Sequence, residues 1–163
     1  RLQMIANRFS KIGSIPELED ADLKALLERV TDYIAHRTSD KVKISTHVPD
    51  SLPPVRLNVA LFEWVIENLC KNAVDAMGGV GVLVISVQET SRYWCIDVVD
   101  TGKGIDKRYF ETVFAPGYTT KKRGWGLGLS LARRIVVEYH SGSIFVKQSE
   151  INKGTIFRIE LKK

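Results

Sequence analysis

Two pairs of neighbouring strands limit most strongly which folds are open to this chain. The first pair, at about residues 80–89 and 93–99, is joined through the polar turn "ETSR". The second pair, "SIFVKQS" and "GTIFRIEL", flanks the turn "EINKG". Helical patterns stand before and between these pairs instead of alternating strictly with single strands. We therefore predict an α+β protein, a two-layer α/β sandwich with a mixed sheet and helices on one face.

Three helices are predicted from apolar residues at helical spacing. An amphipathic helix is expected at about residues 20–37, with acids in its first turn and basic residues in its last. A second helix, at about 58–77, is closed by a glycine pair, and a third, at about 126–140, ends at "HSG". The segment "KVKISTHV" alternates as a strand does, and residues 1–12 have the spacing of a helix that ends there.

The composition is that of an ordinary globular domain. The chain has 163 residues, of which 44% are hydrophobic and 26% charged, so we expect one domain with a substantial core. Its longest apolar stretch, "GVGVLVISV", is far too short for a membrane-spanning helix and predicts a strand. Cys70 and Cys95 lie within apolar segments, which indicates buried, reduced thiols in a cytoplasmic domain.

The net charge of +5 would suit a polyanionic partner. Apart from Lys121, Lys122 and Arg123, the cations are spread along the chain, and no nucleic-acid-binding motif accompanies them. A small polyanion such as a nucleotide is therefore favoured over nucleic acid.

The stretch "TTKKRGWGLGLS" places Gly124, Gly126 and Gly128 at the start of the third predicted helix. Glycine permits backbone angles and a closeness to ligand that any Cβ would prevent, and a helix N-terminus exposes N–H groups that stabilise anions. The hydroxyls of Thr119 and Thr120 and the cations after them add groups that bind phosphate. The pattern predicts a phosphate site, and a flexible loop that ends in a helix cap is the alternative.

The second predicted helix contains "ENLCKNAVDAM". Asn68 and Asn72 are four residues apart and project from one helical face, and Asp75 continues the same edge. A carboxamide oxygen can bind Mg²⁺ together with waters and phosphates. The alternative is a pair of surface amides bonded to water. Glu67 and Lys71 are interpreted as an ion pair on the surface.

Asp100, in "DVVDTGKGI", ends an apolar strand at the edge of the core, where a carboxylate needs a donor partner. An adenine amino group is such a donor, whereas guanine presents a carbonyl at the matching position, so the acid would select ATP over GTP. Gly102 and Gly104 would let the chain turn beneath the base. By itself, "DTGKG" is equally typical of a hairpin turn.

Taken in order, these blocks resemble the ATP-binding catalytic domain of two-component sensor histidine kinases, in the superfamily shared with gyrase B, the Hsp90 chaperones and MutL. "ENLCKNAVDAM" is similar to the N box of that family, "DTGKGI" to its G1 box, "VFAPGYTT" to its F box and "GWGLGLSLARRIV" to its G2 box. The likeness covers about residues 42–162. It implies a Bergerat-type α/β sandwich that binds ATP and Mg²⁺.

The resemblance also implies a role for each matching residue. Asn72 would bind the magnesium, Asn68 would assist at the phosphates, and Asp100 would take the adenine amine. Lys121 and Asn68 are the expected catalytic residues. The complete set implied to bind the nucleotide is Asn68, Asn72, Asp75, Asp100, Gly102, Gly104, Ile105, Thr119, Thr120, Lys121, Gly124, Gly126, Leu127, Gly128, Leu129 and Thr155.

Some positions depart from the family pattern. Asn68 stands where gyrase-like members have a glutamate that activates water, which disfavours net ATP hydrolysis. Asp75 and Ala76 replace a lysine and a tyrosine found in many kinases, and Lys121 or its neighbours would have to compensate. A gyrase-like or MutL-like ATPase, a non-catalytic nucleotide-binding module and a serine-directed kinase of the anti-sigma type remain as alternatives.

The three histidines, His36, His47 and His140, do not match the phosphate acceptor of a histidine kinase, and His140 is placed at a helix C-terminus where a cation suits the helix dipole. We expect residues 1–19 to be the end of a dimerisation hairpin and residues 20–163 to be the catalytic domain. The implied partners are ATP, an upstream acceptor domain of the same parent, a response regulator and a second copy of the parent. In a membrane-anchored parent, this domain would lie on the cytoplasmic side of the inner membrane.

Overall fold

The computed structural model describes residues 16–121 and 126–163. The predicted helix end at 1–12 and Gly124 lie outside the described residues. The strands are β1 (Glu19–Ala21), β2 (Val42–His47), β3 (Val55–Leu57), β4 (Gly81–Glu89), β5 (Tyr93–Asp100), β6 (Ser143–Glu150) and β7 (Gly154–Lys162). The helices are α1 (Leu23–His36), α2 (Val59–Ala76) and α3 (Gly128–Arg134), which continues as a π-helical turn (Ile135–Tyr139). Two 3₁₀ turns, Lys107–Tyr109 and Thr112–Phe114, lie between β5 and α3.

Five strands form the main sheet, in the order β2-β4-β5-β7-β6. β2 is parallel to β4 and the other neighbours are antiparallel, so the predicted mixed sheet and both predicted hairpins are confirmed. Along β4, Leu83, Ile85 and Val87 are buried while Val82 is exposed. This alternation shows that the helices cover one face of the sheet, as predicted.

A second, two-stranded sheet was not predicted. β1 pairs antiparallel with β3, and each has only three residues, too few for an alternating pattern to be recognised. Because β1 uses residues 19–21, α1 begins at Leu23 instead of near residue 20. The side chain of Asp22 caps this helix by accepting the Ala25 N–H at 3.0 Å. The acids therefore precede α1, and the prediction that they lie in its first turn was wrong.

Helix α2 is the central helix of the layer that covers the sheet. Phe62, Ile66 and Leu69 are buried on its inner face, and burying each such side chain stabilises the fold by about 1.5–3 kcal/mol. Asn58 caps the helix by accepting the Leu61 N–H at 3.1 Å. Gly78 adopts a φ of +63° just past the helix end, which is the usual way for a glycine to terminate a helix. The prediction at 58–77 is confirmed to within one residue at each end.

The third helix starts later than predicted. Gly126 has a φ of +68°, a left-handed conformation that cannot belong to the helix, and α3 begins at Gly128. At its other end, the buried His140 bonds to the Ile135 carbonyl through Nδ1 at 2.9 Å and accepts the Asn58 N–H at Nε2 at 3.1 Å. Burial lowers the pKa of His140 below its ordinary value. Because Nε2 accepts an N–H while Nδ1 bonds to a carbonyl, the ring is neutral in this arrangement, and the predicted interaction of a cation with the helix dipole was wrong.

The two thiols behave as the sequence predicted. Cys70 and Cys95 are both buried, and burial raises the pKa of Cys70 to about 12. In residues 16–121 and 126–163, every helix is too short or too polar to cross a bilayer.

Candidate functional site

A cavity of about 920 Å³ opens between α2, the end of β5 and the segment before α3. This volume lies in the range of small-molecule sites. The structure brings the predicted site residues together around it. Those that line the cavity are Asn68, Asn72, Asp75, Asp100, Gly104, Ile105, Thr119, Thr120, Lys121, Gly126, Leu127, Gly128, Leu129 and Thr155. Of the other two, Gly102 lies behind Asp100 and bonds to it, and Gly124 is outside the described residues.

The polar edge of α2 converges on one cation. The Lys121 Nζ donates to Asn72 Oδ1 at 2.8 Å and to Asp75 Oδ2 at 2.6 Å. Residues three apart on a helix are neighbours on its surface, so both oxygens can reach the same point. The predicted common edge of Asn72 and Asp75 is confirmed, and Lys121 lies opposite them.

Asn68 lies deeper than its neighbours on the helix. Its Nδ2 is buried and has no hydrogen-bond partner among the described residues. A Cβ placed on Gly128 would come within 2.5 Å of Asn68 Oδ1, so the start of α3 holds the amide in place. A buried donor without a partner is costly, and a ligand oxygen in the cavity would satisfy it.

At two of the glycines, neighbouring protein atoms leave no room for a side chain. A Cβ on Gly126 would come within 2.5 Å of the Gly117 carbonyl carbon and 2.6 Å of the Tyr118 oxygen. The Gly117 N–H also donates to the Gly126 oxygen at 3.0 Å. A Cβ on Gly128 would collide with the Asn68 side chain, as described above. Room for a ligand was the predicted reason for both glycines, and close packing within the chain is the reason that the structure supplies.

Asp100 forms the inner end of the cavity. It is 5% exposed, and its Oδ1 accepts the Gly102 N–H at 2.8 Å. Burial raises the pKa of this carboxyl, although the backbone N–H groups of Gly102 and Thr155 act in the opposite direction. A Cβ on Gly102 would lie 2.6 Å from the Ala76 carbonyl oxygen. Only glycine therefore lets the chain bend back under Asp100 and against the end of α2.

Thr155 faces Asp100 across the paired strands and belongs to a hydroxyl network. Ser149 Oγ lies 3.0 Å from the Gly154 oxygen, 2.8 Å from Thr155 Oγ1 and 2.7 Å from the Ile105 nitrogen. Ser149 has one hydroxyl hydrogen. All three bonds form together when Ser149 donates to Gly154 and accepts from Ile105 and Thr155. That arrangement leaves the lone pairs of the Thr155 hydroxyl available to a ligand.

Residues 119–121 form hydrogen bonds to both sides of the cavity. Lys103, which follows β5, donates from Nζ to Thr120 Oγ1 at 3.0 Å. The Lys121 side chain reaches α2, and its backbone N–H donates to Thr119 Oγ1 at 3.0 Å. The predicted phosphate-binding hydroxyls and one of the predicted cations therefore lie along one wall of the cavity.

Glu67 corrects one interpretation of the sequence. It lines the cavity and is only 2% exposed, and the Lys71 Nζ lies 3.3 Å from its Oε1. The favourable spacing of the pair was recognised, but the pair does not lie wholly on the surface. Helical spacing shows which residues are neighbours and does not show which other elements cover them.

Sequence reasoning missed several residues of the cavity wall. Trp64 precedes Asn68 by one helical turn, and Phe157 lies two residues after Thr155 on the same face of β7. Periodicity could have found both. Ile151 and Asn152 come from the turn between β6 and β7, and only the tertiary fold brings them to the cavity.

The chain is similar to known proteins in sequence and in fold. A family model described as histidine kinase-, DNA gyrase B- and HSP90-like ATPase matches residues 58–163. Sporulation kinase D of Bacillus subtilis (strain 168) is 40% identical over 166 residues, which cover 99% of this chain and 32% of that protein. Sensor histidine kinase ZraS of Escherichia coli (strain K12) is 32% identical over 145 residues, which cover 88% of this chain and 31% of that protein. The chain spans about a third of the length of these curated relatives.

A solved structure shares the architecture. The catalytic domain of histidine kinase ThkA matches with a TM-score of 0.80 and 27% identity, over 90% of this chain and 96% of that one. The predicted fold class and the predicted family resemblance are confirmed.

Proposed function

This chain belongs to the family of histidine kinase-, DNA gyrase B- and HSP90-like ATPases, and from this premise we propose that it binds ATP with Mg²⁺ in the cavity and passes the γ-phosphoryl group to a histidine on a separate helical domain. One observation carries the proposal. Three distant parts of the sequence, the amide edge of α2, the acid that ends β5 and the segment before α3, meet around one cavity of nucleotide size.

The inner end of the cavity suits adenine. The buried Asp100 carboxylate is held by backbone N–H groups and can accept the adenine amino group, while a guanine carbonyl there would be repelled. The Thr155 hydroxyl lies beside it. These contacts support selection of ATP over GTP.

The outer end suits phosphates and a divalent cation. Asn72 Oδ1 and Asp75 Oδ2 lie 2.8 Å and 2.6 Å from an ammonium nitrogen, so their positions already fit a cation, and both are the oxygen ligands that Mg²⁺ prefers. When bound, Mg²⁺ would neutralise charge on the phosphate oxygens. Asn68 offers its buried N–H to a phosphate oxygen, and Lys121 supplies a positive charge at the same end.

The proposed reaction rests on positioning and charge, without a covalent intermediate on this chain. The bond between the γ-phosphorus and its bridging oxygen breaks, a nitrogen–phosphorus bond to the acceptor histidine forms, and ADP leaves. His140 cannot be the acceptor because both of its ring nitrogens are bonded inside the core. We expect the acceptor on an upstream domain of the parent, whose end would include residues 1–19, with residues 20–163 as the catalytic unit.

The parent's partners follow from the same proposal. A second copy would associate through the upstream helices, and a response regulator would receive the phosphoryl group. The domain would work in the cytoplasm, where ATP is available and the buried thiols stay reduced.

Calorimetric titration of the chain with ATP, ADP and GTP, with and without Mg²⁺, tests the binding site. We expect ATP and ADP to bind, GTP to bind at least tenfold more weakly, and Asn72→Ala to remove the Mg²⁺ dependence. Gln88→Ala, which removes an exposed amide on β4, is the control. Equal affinity for ATP and GTP would contradict the assignment of Asp100.

A second assay separates transfer from hydrolysis. The chain is mixed with radiolabelled ATP and a helical protein that carries the acceptor histidine. Label on that histidine, reduced in Asn72→Ala, supports the kinase. Phosphate release without an acceptor would indicate a gyrase-like ATPase, and binding with neither reaction would indicate a nucleotide-sensing module.

A further inference from the structure

Lys121 holds the position in which a divalent cation would meet α2. Its Nζ is 2.8 Å from Asn72 Oδ1 and 2.6 Å from Asp75 Oδ2. The two oxygens come from neighbouring side chains on the last turns of one helix, so they form a small cation site whose spacing the helix fixes.

Two occupants can use this site, but not together. An ammonium group and Mg²⁺ both need the Asn72 oxygen, and two cations around it repel each other. Asp75 provides the negative charge of the site, since Asn72 is neutral. Mg²⁺ in proteins is commonly held by one or two side chains plus waters and phosphates, so a carboxylate beside Asn72 can bind the ion directly or through one of its waters.

The pair between Lys121 and Asp75 is not required for stability. The two side chains are 40% and 56% exposed, and exposed ion pairs contribute little to the free energy of unfolding. Variants at either position should therefore fold, and their effects on ligand binding can be measured directly.

We propose that Asp75 and Asn72 form one cation site, which the Lys121 ammonium and the divalent ion of the nucleotide occupy in turn. This inference rests on the proposed binding of ATP with Mg²⁺. When the divalent ion takes the two oxygens, Lys121 is released from α2, and its ammonium becomes available to the phosphate oxygens. Asp75 is thus part of the metal site as well as the resting partner of Lys121.

The test is the Mg²⁺ concentration that gives half-maximal ATP binding, measured by calorimetry in the full chain. Asp75→Asn should raise this concentration about tenfold, a typical effect of losing a supporting group at a metal site. Lys121→Ala should lower it about threefold, because the competing cation is gone, and should weaken ATP binding at saturating Mg²⁺, where the released ammonium would otherwise reach the phosphate oxygens. Opposite shifts from the two partners of one ion pair would not arise from a merely structural contact.

A matched pair elsewhere on the molecule provides the control. Lys24 and Asp50 also form a lysine–aspartate pair at 2.6 Å, outside the residues that line the cavity. Lys24→Ala and Asp50→Asn should leave the Mg²⁺ concentration for half-maximal binding unchanged. Circular dichroism and thermal melting of all four variants confirm that each one folds.

The outcomes separate this inference from the proposed function. If the unchanged chain binds no ATP at any Mg²⁺ concentration, the proposed function fails. If it binds ATP and Asn72→Ala removes the Mg²⁺ dependence, but Asp75→Asn leaves the required Mg²⁺ concentration unchanged, only the shared cation site is overturned. Line broadening of Mn²⁺ in electron paramagnetic resonance, with Mn²⁺ and ATP, gives a readout of the metal itself and should weaken in Asp75→Asn.

Discussion

Asp100 is the side chain that we expect to select adenine over guanine. Its Oδ1 is fixed by the Gly102 N–H at 2.8 Å, and the carboxylate keeps lone pairs that can accept a donor from a ligand. The carboxylate is buried, and its burial is tolerable because donors surround it. A change of this single group should therefore alter recognition more than folding.

Asp100→Asn is expected to weaken ATP binding about tenfold, the cost of one unsatisfied buried hydrogen bond. Gly102 would keep the amide oxygen in place, so the amide NH₂ would face the donor group of adenine. The ratio of ATP affinity to GTP affinity should narrow at the same time. Calorimetry with both nucleotides measures the two effects.

Asp50→Asn is the control for this change, since the Asp50 carboxylate bonds to Lys24 at 2.6 Å, outside the residues that line the cavity. If Asp100→Asn left both affinities unchanged, the assignment of Asp100 to the base would be contradicted.

Individual site residues were predictable from the sequence where a motif fixes them. Asn72 and Asp100 were identified from their blocks and lie on the cavity. Glu67 and His140 were misread because their state depends on what covers them, and both are buried in the folded chain. The spacing of residues along the sequence does not show which side chains other elements will bury.

At the level of elements, the uncovered face of the sheet contains a buried ion pair. Asp97 on β5 and Arg158 on β7 are directly opposite each other and form two hydrogen bonds, at 2.7 Å and 2.8 Å. Asp97 is only 4% exposed, and the Lys147 Nζ lies 3.9 Å from it. The pair joins two central strands of the sheet that positions Asp100 and Thr155.

Asp97→Ala is expected to lower the free energy of unfolding by about 3 kcal/mol, because it leaves the Arg158 charge without its partner. The double variant Asp97→Leu with Arg158→Leu should lose clearly less, since the guanidinium is removed with its partner and the Lys147 ammonium, with a side chain 39% exposed, can turn to water. Urea unfolding of the single and double variants measures the difference. A double variant that is as unstable as the single one would contradict this account of the pair.

Long elements were predictable and short ones were not. The hairpins and α2 carry enough periodic residues for their type to be identified, and the structure confirms them. β1 and β3, with three residues each, exist because they pair with each other across 30 or more intervening residues, which no local pattern records. The late start of α1 follows from the same pairing.

At the level of the whole molecule, His140 is a buried junction between two helices. The ring joins the beginning of α2, through the Asn58 N–H, to the end of the last helix, through the Ile135 carbonyl, and it packs 5.5 Å from the Phe62 ring. Burial lowers its pKa in the folded state below the ordinary value of 6.5. As pH falls below about 6.5, the unfolded chain binds a proton that the folded chain does not.

Stability is therefore expected to fall on the acid side of about pH 6.5, by up to about 1.4 kcal/mol per pH unit from this group. Asp100 changes the stability in the opposite direction. Its pKa is raised in the folded state, so the folded chain binds this proton more tightly than the unfolded chain and gains stability as pH falls. Comparison with His140→Gln isolates the histidine contribution. That variant should be less stable at pH 8 and should lose less stability on acidification.

His36→Gln provides the matched control, since His36 is an exposed histidine at the end of α1. It should keep the pH dependence of the original chain. If His140→Gln also kept that dependence, His140 would not be the group responsible. Denaturant unfolding across the acid range measures all three proteins.

Asn58 has one further consequence for the whole molecule. Besides capping α2, it donates from Nδ2 to the Glu17 oxygen at 3.1 Å, and Arg56 beside it donates to the Leu18 oxygen at 2.9 Å. The residues just before β1 are thus bonded to the start of the helix that presents Asn68 and Asn72. A displacement of Glu17 and Leu18 would therefore act on the first turn of α2, and the helix would transmit it along its axis toward Asn68 and Asn72.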